Sequence, residues 1–389
     1  MPDPKPVPAV PKTRVALTTP PFPPKYPDPL VQNDKLKAAL TKAIDAGPGA
    51  SWRVGIAIAS LENPGAHPMA HFKGDREFFG ASMIKIAALY GLMELRNTLR
   101  AIAKELGTNT SKTELLKDAA RYMNPLILKK VDDLPALKGI KSSEVRKAQA
   151  LPLYSEAFKV DGPTGGPFTV NFADKYELKT VTQLPGVDPV GSEIENMITV
   201  SNNGSASRCT HACGYGYLNG ALASAGLFEP GTGKGLWLAG DYTGAYTYYR
   251  IDSDNDQGVA QASTALALVR LFALLQDGTL FGKNADGKND MLKVLSNAAK
   301  YPEVFINRDW PIDFDVIHNK LGFANLKQEN DRGANVYSEC SILQHTSGKR
   351  FAVAWLNLLP DFNTADRAKS AYNPVAKVVN ETINEYLKP

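Results

Sequence analysis

Gly80-Ala81-Ser82-Met83-Ile84-Lys85-Ile86-Ala87-Ala88-Leu89-Tyr90-Gly91-Leu92-Met93 is apolar or small at nearly every position and carries one charge, Lys85. A helix that is apolar all round is a buried helix. A lysine inside one is costly unless it is neutral or paired. Ser82 stands three residues before Lys85, and on a helix residues three apart share a face. The dipole at a helix start favours negative charge, and a desolvated lysine one turn on can take a hydroxyl proton. The spacing points to an activated serine nucleophile. The plainer reading is a lysine that snorkels to the surface, and the rest of the chain has to separate the two.

The chain has 389 residues, 43% of them hydrophobic, enough for a large core and one or two domains. Its net charge of +4 is mild, and the basic and acidic residues are interspersed, so no nucleic-acid partner is expected. No apolar run approaches the ~18–20 residues that span a membrane. Three cysteines cannot form a disulfide framework. Cys209 and Cys213 read as buried thiols, with a local disulfide or metal site as the alternative. The five histidines show no ligand spacing, so neither metal nor cofactor is expected.

Taken in order, residues 1–32 read as a Pro-rich tail or linker, since eleven of the 27 prolines fall in the first thirty residues. They lack the apolar segment of a signal peptide and fit what remains after a leader is removed. Asn33 to Ala46 has Leu36, Ala39, Leu40 and Ile44 at helical spacing. Val54-Gly55-Ile56-Ala57-Ile58-Ala59 reads as a central strand, and Met69 to Phe72 as its hairpin partner after Asn63-Pro64-Gly65. The Ser82 helix runs toward Leu106. Residues 108–194 look like an insertion, with helical patterns over Thr113–Tyr122 and Ser142–Ala150 broken by Pro125, Pro135 and Pro152. A helix is expected after Ser201-Asn202-Asn203-Gly204, continuing through Leu222. Residues 229–260 form a long Tyr-rich loop of the kind that carries function. Helices follow over Ala262–Gln276 and Asn289–Ala299. Three strands come next, over 315–323, 335–344 and 349–358, and a final helix over Pro374–Leu387. The expected architecture is α/β. An antiparallel sheet domain (33–96 and 262–389), flanked by the first and last helices, stands beside a mostly helical lobe (97–261).

That order of elements carries three further marks: Ser82-Met83-Ile84-Lys85, Ser201-Asn202-Asn203 and Lys320-Leu321-Gly322. In this order, and with the lead-in Arg76-Glu77-Phe78-Phe79, the chain resembles the serine β-lactamase and penicillin-binding protein superfamily, class A β-lactamases most of all, as a divergent member. The likeness covers residues 33–107 and 195–389. It implies a nucleophile at Ser82 that forms an acyl-enzyme. It makes Lys85 the base and Ser201 the relay of a proton to the leaving group. Asn203 would offer its side-chain amide to the substrate and to Lys85. Lys320 would meet an acidic group on the substrate and help keep Lys85 neutral. The backbone N–H groups of Ser82 and Phe323, beside Gly322, would form the oxyanion hole. It also implies work outside the cytoplasm, on a small-molecule or peptide substrate.

The departures are as informative. Asn202 replaces the middle acid of the triplet, and Leu321 replaces a threonine whose hydroxyl helps hold a substrate carboxylate. The Glu-x-x-Leu-Asn segment that positions the hydrolytic water is missing. Glu229 is the only glutamate between residues 196 and 302, and so the one deacylation candidate. Asp241 and the tyrosines of 242–249 share its loop. Without a placed base an acyl-enzyme hydrolyses slowly. The expectation is a serine hydrolase acting on an ester, amide or β-lactam with weak or no ordinary β-lactamase turnover. A non-catalytic binding protein on the same fold is one alternative, and a true class A-like β-lactamase with an unusual deacylation residue is another. Ser201-Asn202-Asn203 read alone is a helix cap. Glu339 is either structural or a partner for Lys320.

Overall fold

The computed structural model describes residues 16–163, 167–179, 191–282, 285–299, 311–326, 335–359 and 367–389. The first fifteen residues of the expected tail, and residues 180–190 of the expected insertion, lie outside them.

Leu30–Gln32 is a short strand (β1), after which Asn33 caps the helix Asp34–Ala46 (α1) by accepting the Leu36 N–H at 2.9 Å. Gly55–Ser60 (β2) and His67–Phe72 (β3) form the expected hairpin. Phe314–Asn325 (β4), Asn335–His345 (β5) and Arg350–Leu358 (β6) complete a six-stranded sheet in the order β1-β3-β2-β6-β5-β4. All pairs are antiparallel except the first. The sequence reading left residues 30–32 in the tail, but they run parallel to β3, with the His67 N–H on the Pro29 carbonyl at 2.7 Å and the Asn33 N–H on the Met69 carbonyl at 2.9 Å. They close an edge that would otherwise be open. Upstream, the Phe22 ring stacks 5.6 Å from that of Tyr217, and the Tyr26 hydroxyl donates to the Leu280 carbonyl, so this Pro-rich stretch is docked.

Strand parity explains the layers. Ile56 and Ile58 of β2, with Val353 and Trp355 of β6, face Leu36, Leu40 and Ile44 of α1 and Val375 and Val379 of the terminal helix Arg367–Leu387. Ala57, Ala59, Ala352 and Ala354 face the other way, into the core shared with the helical lobe. Their small side chains let the helix Ala265–Asp277 pack against the sheet.

The Ser82 stretch starts as a single turn of 3-10 helix, Ala81–Ile84, and continues as Lys85–Leu106 (α2), which is buried along nearly its whole length. Leu115–Val131 (α3) passes straight through Pro125, where a break was expected. Proline removes one helical hydrogen bond, but Met123, Ile127 and Val131 recur four apart on a buried face and carry the helix on. The terminal helix likewise begins seven residues before the expected Pro374. The helix expected to run through Leu222 is instead two, Asn203–Cys213 (α4) and Tyr215–Ala225 (α5). Gly214 breaks it with φ 74°, and a Cβ there would lie 2.5 Å from the Leu151 carbonyl carbon. Residues 158–172 hold an unanticipated hairpin, Phe158–Asp161 against Thr169–Phe172. Among the described residues, no helix is long and apolar enough to cross a membrane.

Candidate active site

The approach to Ser82 is fixed before the helix begins. Phe78–Phe79 pairs antiparallel with Gln261–Ser263, and the Phe79 N–H donates to Asn255 Oδ1 at 2.7 Å. Ala81 then adopts φ 50°, a left-handed conformation that costs a non-glycine residue free energy and persists only where the surroundings enforce it. From the other side β4 presses its backbone onto this turn. A Cβ on Gly322 would sit 2.3 Å from the Gly80 carbonyl oxygen and 2.7 Å from the Met83 nitrogen, so only glycine fits. This contact brings Phe323, the next residue of the strand, to the Ser82 turn.

Lys85 is fully buried. Its Nζ donates to the Ser201 carbonyl at 2.6 Å, to Asn203 Oδ1 at 2.8 Å and to Ser201 Oγ at 3.2 Å. Burial, helped by the positive charge of Lys320, brings its pKa down to about 6. Most Lys85 side chains are therefore neutral at pH 7, as a base has to be. Lys320, 2% exposed, donates to Ser201 Oγ at 3.0 Å and to the Leu321 carbonyl at 2.9 Å. The Ser201 hydroxyl is thus held between two lysine nitrogens.

The turn that presents Ser201 is a helix cap that also borders Lys85. Ser201 has φ 57°, and Asn202 caps α4 by accepting the Ser205 N–H at 2.8 Å. The cap at Asn202 leaves its neighbours Ser201 and Asn203 to face Lys85. A cavity of about 440 Å³ opens over this centre, lined by Ser82, Ser201, Asn203, Lys320, Leu321 and Phe323. Phe323 is half exposed on its rim and lies 4.7 Å, ring to ring, from Tyr337.

The structure does not bring Glu229 to this cavity. It lies on an exposed hairpin, Phe228–Glu229 against Lys234–Gly235, and its carboxylate accepts from the Thr232 hydroxyl at 3.0 Å. Glu339 faces away from the Lys320 side of its strand. It sits opposite Leu321, and its Oε1 accepts from Asn319 Nδ2 at 3.0 Å and Ser341 Oγ at 2.8 Å. Cys209 and Cys213 are buried and unbridged.

The Tyr-rich loop does reach the centre, through a residue that sequence reasoning did not single out. Asp241 is buried and gathers the loop around itself. It accepts from the N–H groups of Gly244, Ala245 and Tyr246 at 2.8, 2.6 and 3.1 Å and from the Tyr248 hydroxyl at 2.6 Å. The Tyr242 N–H is tied to Ser207 Oγ of α4 at 2.9 Å. The Tyr242 ring is thereby set over Lys85, with its centroid 4.5 Å from Nζ. Nothing in the spacing of residues 229–260 signals this contact, because it joins two segments far apart in the chain.

No family model matches the sequence, and no curated protein does. Solved structures do match in shape. A variant of the TLA-1 extended-spectrum β-lactamase superposes with TM-score 0.50 at 12% identity, over 91% of this chain and 99% of that one. A class A β-lactamase from Bacteroides cellulosilyticus gives 0.48 at 13%, over 90% and 99%. The penicillin-binding protein PBP-A gives 0.46 at 13%, over 94% and 99%. Identity this low speaks to the fold alone, and that fold is β-lactamase-like.

Proposed function

We propose that the protein is a serine hydrolase that works through an acyl-enzyme on Ser82. Its substrate is an ester, amide or β-lactam, small or peptidic, that carries an acidic group, and ordinary β-lactamase turnover is weak. The observation that carries this reading is the buried, mostly neutral Lys85, one turn from Ser82 and hydrogen-bonded to Ser201 and Asn203. A buried lysine is expensive, and its neutral amine is of use to a hydroxyl that must lose its proton.

Lys85 Nζ takes the proton of Ser82 Oγ as that oxygen attacks the substrate carbonyl. The N–H groups of Ser82 and Phe323 hold the negative oxygen that forms. As the bond to the leaving group breaks, the Ser201 hydroxyl hands a proton to it and is resupplied from Lys85. Lys320 attracts the acidic group. Hydrolysis of the acyl-enzyme then lacks an obvious acid-base group. Glu229 sits on its distant hairpin, and the Asp241 carboxylate is already engaged by its own loop. A place of work outside the cytoplasm goes with this reading.

Intact-mass spectrometry after incubation with a penicillin and, separately, a fluorophosphonate tests the reading, with Ser82→Ala as control. Adducts absent from the variant are expected, with a penicilloyl adduct that persists. A folded protein labelled by neither reagent would return the chain to the non-catalytic reading.

A further inference from the structure

Tyr242 touches both Lys85 and a second cavity. Its ring covers Nζ on one side, and the same residue lines a space of about 420 Å³ with Phe79, Tyr248, Arg250, Asp256 and Gln261. Lys85 does not line that space. The cavity comes close to the nucleophile, because Gln261 accepts the Gly80 N–H at 3.4 Å, two residues before Ser82.

The groups facing Lys85 include Ser201 and Asn203 at the start of α4, Lys320 from β4 and Tyr242 from the loop. The acid of that loop, Asp241, turns its carboxylate to its own backbone. On the Tyr242 side, then, Lys85 meets an aromatic face rather than the Asp241 carboxylate. The phenol oxygen is buried and has no hydrogen-bond partner among the described residues, so the ring rather than the hydroxyl is the working part.

We infer that Tyr242 is a positioning residue whose ring walls Lys85 off from water in the second cavity, and that an acyl group on Ser82 is long-lived for this reason. The lifetime part of the inference rests on the acyl-enzyme reading above. Hydrolysis requires a water oxygen to attack the ester carbonyl, a base to accept the water's proton, and Ser82 Oγ to regain one as it leaves. The ring bars water from the one neutral amine able to take that proton. The same ring keeps the amine dry. Burial is the largest cause of its lowered pKa, so opening the wall raises that pKa even though a ring face also favours a cation.

Two measurements on wild type, Tyr242→Phe and Tyr242→Ala test this. The first follows the titration of Lys85 by NMR on protein carrying 13C at the lysine Cε, and requires no acylation. The midpoint is expected near 6 in wild type, unchanged in Tyr242→Phe, and roughly one pH unit higher in Tyr242→Ala. The second follows, by intact mass, the decay of the Ser82 adduct formed with p-nitrophenyl acetate. Tyr242→Ala is expected to shorten its lifetime at least roughly tenfold, and Tyr242→Phe to preserve it. An unmoved Lys85 midpoint in Tyr242→Ala overturns the shielding by itself. An unshortened lifetime overturns the link to hydrolysis. A Tyr242→Phe variant that behaves like Tyr242→Ala overturns the assignment to the ring. No adduct in any of the three proteins overturns the acyl-enzyme reading and the lifetime part with it, while the titration still decides the shielding.

Discussion

Residues 201–203 and 241–248 are both short polar turns that brace α4, and both reach Lys85, but they use their oxygens in opposite ways. The first turn gives three oxygens to the lysine: the Ser201 carbonyl, Ser201 Oγ and Asn203 Oδ1. The second keeps the oxygens of its one acid for itself, since the Asp241 carboxylate collects three backbone N–H groups and the Tyr248 hydroxyl. A carboxylate so supplied has few lone pairs left to offer a water. Nearness of an acid to an active site is therefore a poor sign of a base; what counts is whether its lone pairs are free.

Four substitutions probe this contrast. Lys85→Met removes what the first turn is built around, and acylation of Ser82 by p-nitrophenyl acetate should fall by roughly 10²–10⁴ while the adduct remains on Ser82. A rate within a factor of two of wild type would show that another group takes the proton. Asp241→Ala should act on stability, costing on the order of 2 kcal/mol in urea unfolding as four partly buried donors lose their acceptor. Loss of adduct hydrolysis at unchanged stability would instead make Asp241 a base. Lys320→Met removes the like charge beside Lys85. Because that charge holds the Lys85 pKa down, the pH of half-maximal acylation should rise above its wild-type value near 6; a fall would reverse the electrostatic argument. Glu229→Gln should leave adduct formation and decay unchanged, and a slower decay would bring the exposed hairpin back into the chemistry.

Much of this was legible in the chain because local patterns carried it. The apolar run around Lys85, the alternating strands and the cap within Ser201-Asn202-Asn203 all depend on neighbours a few residues away. The triplet Ser201-Asn202-Asn203 was readable both as a cap and as part of a site; Asn202 is the cap, and Ser201 and Asn203 meet Lys85. What could not be read depends on partners distant in sequence. Pro125 sits inside a helix because the lobe around it buries that face. Gly214 breaks a helix because Leu151 lies where a side chain would go. The parallel pairing of residues 30–32 requires β3. Tyr242 looked like one tyrosine among several, and only the folding of residues 241–248 around Asp241 selects it.

The contact at Gly322 has a bearing on how the sheet finds its alignment. β4 is the last strand of the sheet, paired on one side only, and a strand in that position is the one most prone to slide against its neighbour. Here a slide of one residue would drive Leu321 or Phe323 into the Gly80 carbonyl, where not even a methyl group fits. The Ser82 turn thus proofreads the strand: a misaligned β4 cannot close on the helical lobe, so a chain that completes its fold has its candidate site assembled in the same step.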